Sequence, residues 1–123
     1  MFTPLVQVAL GGAIGASARY LTGTAMLRLL GPGFPWATFA VNVLGSVLMG
    51  ILVVALAHGG NRFAPLLMTG ILGGFTTFSA FSLDAYALFE RGQTGLAAAY
   101  VAGSVGLSIL GLIAGIMVAR SLI

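Results

Sequence analysis

Polar residues far from the turns of an apolar sequence are costly to keep, and this chain keeps four groups of them. Asn42 stands about eight residues, roughly 12 Å, into a long apolar run and is the only amide within it. Its carboxamide offers two donors and an acceptor, enough to tie helices together or to contact a ligand or ion. Tyr100, Ser104 and Ser108 recur at i, i+4, i+8, a ladder of hydroxyls about 12 Å long that serves either an ion or water track or a packing seam. The segment Gly73-Gly74-Phe75-Thr76-Thr77-Phe78-Ser79-Ala80-Phe81-Ser82 sets a glycine pair before a run of hydroxyls. Within it Phe78 and Phe81 share one helical face; their rings either pack in the core or turn partly positive edges toward an anion. Arg19 ends the run Gly11-Gly12-Ala13-Ile14-Gly15-Ala16-Ser17-Ala18-Arg19-Tyr20. A guanidinium keeps its charge, so Arg19 must snorkel, pair with Asp84 or Glu90, or face a wet vestibule.

The elements that position these groups follow from composition. Of 123 residues, 59% are hydrophobic and 6% are charged, with a mean hydropathy of +1.13. Soluble domains are about a quarter charged, and so small a chain has no interior large enough for this much apolar surface. A soluble globular fold is excluded. Five scattered arginines form no patch for nucleic acid. Without cysteine there is no thiol or disulfide chemistry, and the lone His58 leaves no transition-metal cluster. The apolar run opens near residue 4 and lacks a cleavage site, so the N-terminus is read as mature.

A bilayer core of about 30 Å takes about 20 helical residues per crossing. Gly31-Pro32-Gly33-Phe34-Pro35, His58-Gly59-Gly60-Asn61-Arg62 and Glu90-Arg91-Gly92-Gln93-Thr94 divide the chain into four such stretches, expected near 4–29, 34–58, 63–89 and 95–119 as one four-helix transmembrane domain. The third is expected to break near mid-membrane within residues 73–82, just ahead of Phe78, because glycine weakens the helix and irregular backbone at that depth survives where it is buried or lines a cavity, and its freed carbonyls can coordinate a cation.

Loop arginines normally set orientation. Here Arg62 and Arg120 fall on one side, Arg28 and Arg91 on the other. The tie is expected of a chain inserted both ways, as an antiparallel dimer needs, and equally of a bias too weak to read. Glycine, 19 residues in all, recurs at small-xxx-small spacing in Gly11/Gly15, Ser46/Gly50, Gly70/Gly74 and Gly111/Gly115. Such stripes let membrane helices approach closely and predict tight packing with oligomerisation.

A proton-coupled exporter needs an embedded carboxylate, and Asp84, toward the end of its helix, is the sole candidate. Hydroxyls, an amide and aromatic edges make a neutral, donor-rich lining that suits a small anion better than a cation or a drug. A small multidrug-type exporter resting on Asp84, and a structural membrane protein with no transport role, are the competing readings.

In order and spacing these motifs resemble the Fluc (CrcB) family of fluoride ion channels. The likeness covers nearly the whole chain: the glycine-rich opening to Arg19-Tyr20, Thr38-Phe39-Ala40-Val41-Asn42-Val43-Leu44-Gly45, Gly73-Gly74-Phe75-Thr76-Thr77-Phe78-Ser79-Ala80-Phe81, and the Tyr/Ser stripe of the last helix. Ala80 stands where the family often carries Thr. The resemblance implies a dual-topology homodimer of antiparallel subunits in a bacterial inner membrane, with two parallel pores each built from both subunits. It implies that Asn42 donates to fluoride, that Phe78 and Phe81 present ring edges, and that Tyr100, Ser104 and Ser108 form a polar track, with Thr77 and Ser79 also in the pore. Arg19 resembles a vestibule residue. A structural sodium ion at the dimer centre is implied on the backbone carbonyls of Gly73 and Thr76 from each subunit. The implied role is passive export of fluoride trapped in the cytoplasm, with no catalysis.

Overall fold

A computed structural model describes residues 3–123. Helix α1 (Pro4–Leu30) opens on a proline, whose missing N–H costs nothing at the first helical position. Thr3 Oγ1 caps it by accepting from Val6 N–H at 3.3 Å. It ends at Gly31, where φ is +77° and the N–H closes on Leu27 O. Helix α2 (Trp36–Gly59) follows Pro35 and ends the same way, Gly60 taking φ +99° with its N–H on Leu56 O. The third stretch is wound in pieces: a π-helix over Pro65–Leu72, one α-helical turn α3 (Gly73–Phe75), an irregular stretch over 76–78, and helix α4 (Ser79–Glu90). Helix α5 (Thr94–Leu122) completes the chain.

Three stretches, Trp36–Gly59, Pro65–Glu90 and Thr94–Leu122, are long and apolar enough to cross a membrane. Helix α1 has the length, 27 residues, but its Gln7, Arg19 and Arg28 dilute its apolar character, and it is not among the three. The surface is that of a chain solvated by lipid, with Leu5, Leu21, Leu29, Leu83 and Leu122 all exposed. Buried polar residues among those described are Gln7 and Ser104.

The glycine stripes meet one another inside the chain. Helix α1 runs alongside the π-helix and α3 in the same direction: a methyl on Gly11 would strike Leu66 O and Gly70 Cα, and one on Gly74 would strike Gly12 O. Helix α2 runs likewise beside α5, with Gly50 against the Leu112 carbonyl and Gly115 against the Val47 carbonyl. The break expected in the third span lies over 76–78, just past the glycine pair, where Gly73 keeps ordinary helical angles (φ −62°, ψ −38°). Gly74 lacks a side chain because α1 lies on it, and the helix opens two residues later, at Thr76.

At one end of the bundle the core is aromatic. Tyr100 is wholly buried, with Phe81 5.1 Å from its ring and Phe34 5.3 Å away at 90°. Leu88, Ala97 and Phe39 pack around this cluster.

Candidate functional site

Geometry at the break is set by a single amide. Thr76 is extended (φ −91°, ψ 162°), although its N–H and hydroxyl still bond Leu72 O at 3.0 and 2.9 Å. Thr77 leaves the helix and is taken up by α2: Asn42 Oδ1 accepts from Thr77 N–H at 2.8 Å, and Asn42 Nδ2 donates to Thr77 O at 2.9 Å. Reversing the carboxamide would set donor against donor, so the two bonds fix its orientation. Thr77 Oγ1 accepts from Ala80 N–H at 3.1 Å, capping the start of α4, and lies 3.4 Å from Ser79 Oγ. Both bonds between α2 and Thr77 leave one Asn42 N–H over, since the side-chain nitrogen carries two.

Beside this clamp lies a cavity of about 400 Å³ bounded by α2, the break, α4 and α5. Asn42, Thr77, Phe78, Phe81, Ser104 and Ser108 line it, together with Gly45, Ser46 and Met49 of α2 and Leu72, Thr76, Val105, Ile109 and Leu112. Six residues singled out in the sequence for possible ligand contact are thereby brought together. Ser104 Oγ and Ser108 Oγ are buried with no hydrogen-bond partner, an expensive state for a hydroxyl. Phe78 and Phe81 sit 5.5 Å apart at 51°; Phe81 is 7% exposed and Phe78 76%. The inner ring is anchored by Tyr100 and the outer one projects from the chain.

The hydroxyl ladder splits. Tyr100 does not line this cavity, because its ring belongs to the aromatic core and its hydroxyl donates to Asp84 Oδ2 at 3.3 Å. Asp84, which a proton-coupled exporter would use, instead borders a separate cavity of about 250 Å³ with Arg91 and Trp36. Ser79 likewise bonds locally with Thr77 and is not among the residues lining the 400 Å³ cavity.

Arg19 settles among the alternatives open to it by donating from Nε to Gly74 O at 3.0 Å. Glu90 accepts from Tyr86 OH at 2.8 Å and Asp84 from Tyr100, so both acids are engaged elsewhere. Arg19 lines a second cavity of about 530 Å³ with Thr38, Val41 and Ala80, and Thr77 borders both this cavity and the 400 Å³ one. The break thus forms a wall between an arginine-bearing hollow and a neutral one.

Two residues here escaped the sequence reading. Ser46, one turn beyond Asn42, lines the cavity although its spacing to Gly50 reads as a packing stripe. Gln7 is buried in α1 and bonds the start of the π-helix; like Asn42 it is a lone amide in an apolar helix, and the same signal would have found it.

The family model described as CrcB-like protein, Camphor Resistance (CrcB), matches residues 6–116. The chain belongs to the CrcB family. Among its CrcB relatives, a protein of Cereibacter sphaeroides (strain ATCC 17029 / ATH 2.4.9) named fluoride-specific ion channel FluC is 69% identical over 120 residues, covering 98% of this chain and 97% of its own. The protein of the same name from Ruegeria sp. (strain TM1040) is 58% identical over 125 residues, covering 100% and 99%. The one from Agrobacterium fabrum (strain C58 / ATCC 33970) is 52% identical over 121 residues, covering 96% and 97%.

Proposed function

We propose that this chain is the subunit of a fluoride-selective channel that releases the ion passively, as the names of its CrcB relatives indicate. The observation that carries this reading is the cavity in which two buried hydroxyls without a partner, on Ser104 and Ser108, share a wall with the Asn42 amide and the Phe78/Phe81 pair. Fluoride is small, strongly hydrated and only an acceptor, so replacing its water takes several donors close together. The remaining Asn42 N–H and the two serine hydroxyls are such donors, and the aromatic edges add partial positive charge. A neutral lining binds the ion well enough to admit it and weakly enough to release it. Arg19 raises the local anion concentration from the neighbouring hollow without occupying the path itself. No bond is made or broken in the ion, and the protein is a channel, not an enzyme.

In this reading α1 crosses the bilayer as the fourth span, the break lies near the membrane centre, and the chain is a multi-pass protein of a bacterial inner membrane. Two copies assemble antiparallel, which the two-against-two arginine tie accommodates and the exposed Phe78 ring calls for. Tyr100 continues the polar track only through its bond to Asp84, and Thr77 shapes the pore wall while capping α4 at Ala80 N–H, with Ser79 Oγ beside its hydroxyl. The carbonyls of Gly73 and Thr76 suit a sodium ion chemically, being neutral hard oxygens, and Thr76 is released from helical geometry. Two per chain are too few, so two copies would share the ion, whose part is to pin the two breaks together.

The test is electrical. Proteoliposomes adsorbed on a sensor should give a capacitive current on a step from chloride to fluoride and none on a step between chloride and sulfate. Equal currents for chloride and fluoride, or none for either from folded protein, contradict the reading.

A further inference from the structure

We propose that Gln7 is a positioning residue: its carboxamide is wedged into the first turn of the third span, sets the π winding of Pro65–Leu72, and thereby fixes the angle at which Thr77 and Phe78 reach the cavity. In an α-helix each N–H bonds the carbonyl four residues back, which would join Leu66 N–H to Arg62 O. Gln7 stands between them. Its Nε2 donates to Arg62 O at 3.3 Å and its Oε1 accepts from Leu66 N–H at 3.2 Å, so one backbone bond is replaced by two bonds to a side chain of α1.

A side chain inserted into the ladder is one of the few identified causes of helix distortion, and π-helical turns gather at functional sites. Just past the wedge Leu67 N–H still bonds Phe63 O, four residues back, at 2.9 Å, and the wide winding sets in over the turn that follows. Pro65 stands at the first position of the winding, where a missing N–H costs nothing, and Asn61 O accepts from Ala64 N–H at 3.1 Å. The wide winding then runs through Leu72 and ends where Gly73 N–H bonds Met68 O, five residues back. Gln7 is 4% exposed, and a buried amide is costly unless bonded, so both ends of the wedge hold it in place.

One residue of extra winding turns everything downstream by about 100°. Without the wedge, Leu66 N–H and Arg62 O are free to join, the turn tightens, and the face carrying Phe78 and Phe81 rotates relative to Asn42 and Ser104. Two carboxamides therefore hold the backbone of the third span, Gln7 from α1 at its entry and Asn42 from α2 at its break. The effect on flux rests on the channel reading; the effect on winding does not.

The experiment compares the full chain with Gln7→Met in lipid nanodiscs and in liposomes. Side-chain amides occur only at Gln7, Asn42, Asn61 and Gln93, so the Asn42 NH₂ signal in a ¹⁵N spectrum reports the break directly. Fluoride efflux at least tenfold below the parent, a shifted Asn42 signal and altered amide exchange over residues 66–72 are expected from a folded variant. Efflux within twofold of the parent with the Asn42 signal unmoved overturns the proposal. Should Gln7→Met not fold, Gln7→Glu decides: it keeps an acceptor for Leu66 N–H and loses the donor to Arg62 O. Intermediate efflux with a shifted Asn42 signal supports the wedge, and parent-like values of both contradict it. If the parent passes no fluoride, the channel reading fails, while the Asn42 signal of Gln7→Met still decides the winding.

Discussion

Asn42 holds Thr77 by both polar groups of its backbone, at 2.8 Å to the N–H and 2.9 Å to the carbonyl. The third span comes apart there without leaving those two groups bare in an apolar medium, where each would cost several kcal/mol by rough estimate. The same residue lines the cavity, and its amide keeps one N–H beyond those two bonds. The structural role and the proposed ligand role, which from sequence are rivals, are compatible on one side chain.

Replacing Asn42 with Ala removes both bonds at once. We expect fluoride efflux to fall at least a hundredfold and the assembled protein to lose about 1–3 kcal/mol, read by thermal melting in detergent. Near-normal efflux from a folded Asn42→Ala variant would remove the amide from the path.

The phenylalanines separate by burial. Phe78→Ile and Phe81→Ile are both expected to abolish most fluoride efflux, since an aliphatic side chain presents no positive edge. Phe81, packed on Tyr100 at 5.1 Å, should also lower the melting temperature. Phe78, 76% exposed in the single chain, should not unless a second copy covers it, so a loss of assembly in Phe78→Ile would report that contact.

Ser104→Ala and Ser108→Ala make the opposite split. Their hydroxyls have no partner within the chain, and removing an unsatisfied buried group costs no stability. Each variant should melt at or above the parent temperature while conducting fluoride more slowly. A drop in melting temperature with unchanged efflux would make the pair a packing seam.

Close helix contact predicts a further result. A methyl at Gly50 would overlap the Leu112 carbonyl, so Gly50→Ala should force α2 and α5 apart and destabilise the protein. Gly106→Ala, with open space around it, should not. Equal melting of the two variants would contradict the α2–α5 contact.

Most of the helical layout is legible in the sequence because the turns are chemically loud. Gly31-Pro32 and Gly60-Asn61 end helices where apolar runs stop, and the structure ends them at Leu30 and Gly59. The interior of the third span is quieter. Gly73-Gly74 signals weak helix, yet Gly74 serves contact with α1 and the opening is at Thr76, since spacing alone does not tell a glycine needed for its backbone from one needed for its missing side chain. π winding over Pro65–Leu72 has no periodic signature in so short a segment, and it depends on Gln7, 59 positions before Leu66. Asn42, Phe78, Ser104 and Ser108 stood out as polar or aromatic residues on apolar helices. Tyr100 shares the stripe of Ser104 and Ser108, but its longer side chain carries its hydroxyl to Asp84, a distance that helical periodicity does not encode.

The central claim, that the neutral cavity beside Asn42 passes fluoride and excludes larger anions, is tested most directly by efflux. Purified protein in liposomes loaded with potassium fluoride, treated with a potassium ionophore and followed with a fluoride electrode, should empty rapidly, while matched chloride-loaded vesicles keep their chloride. Folded protein that releases neither ion, or both at similar rates, would contradict it.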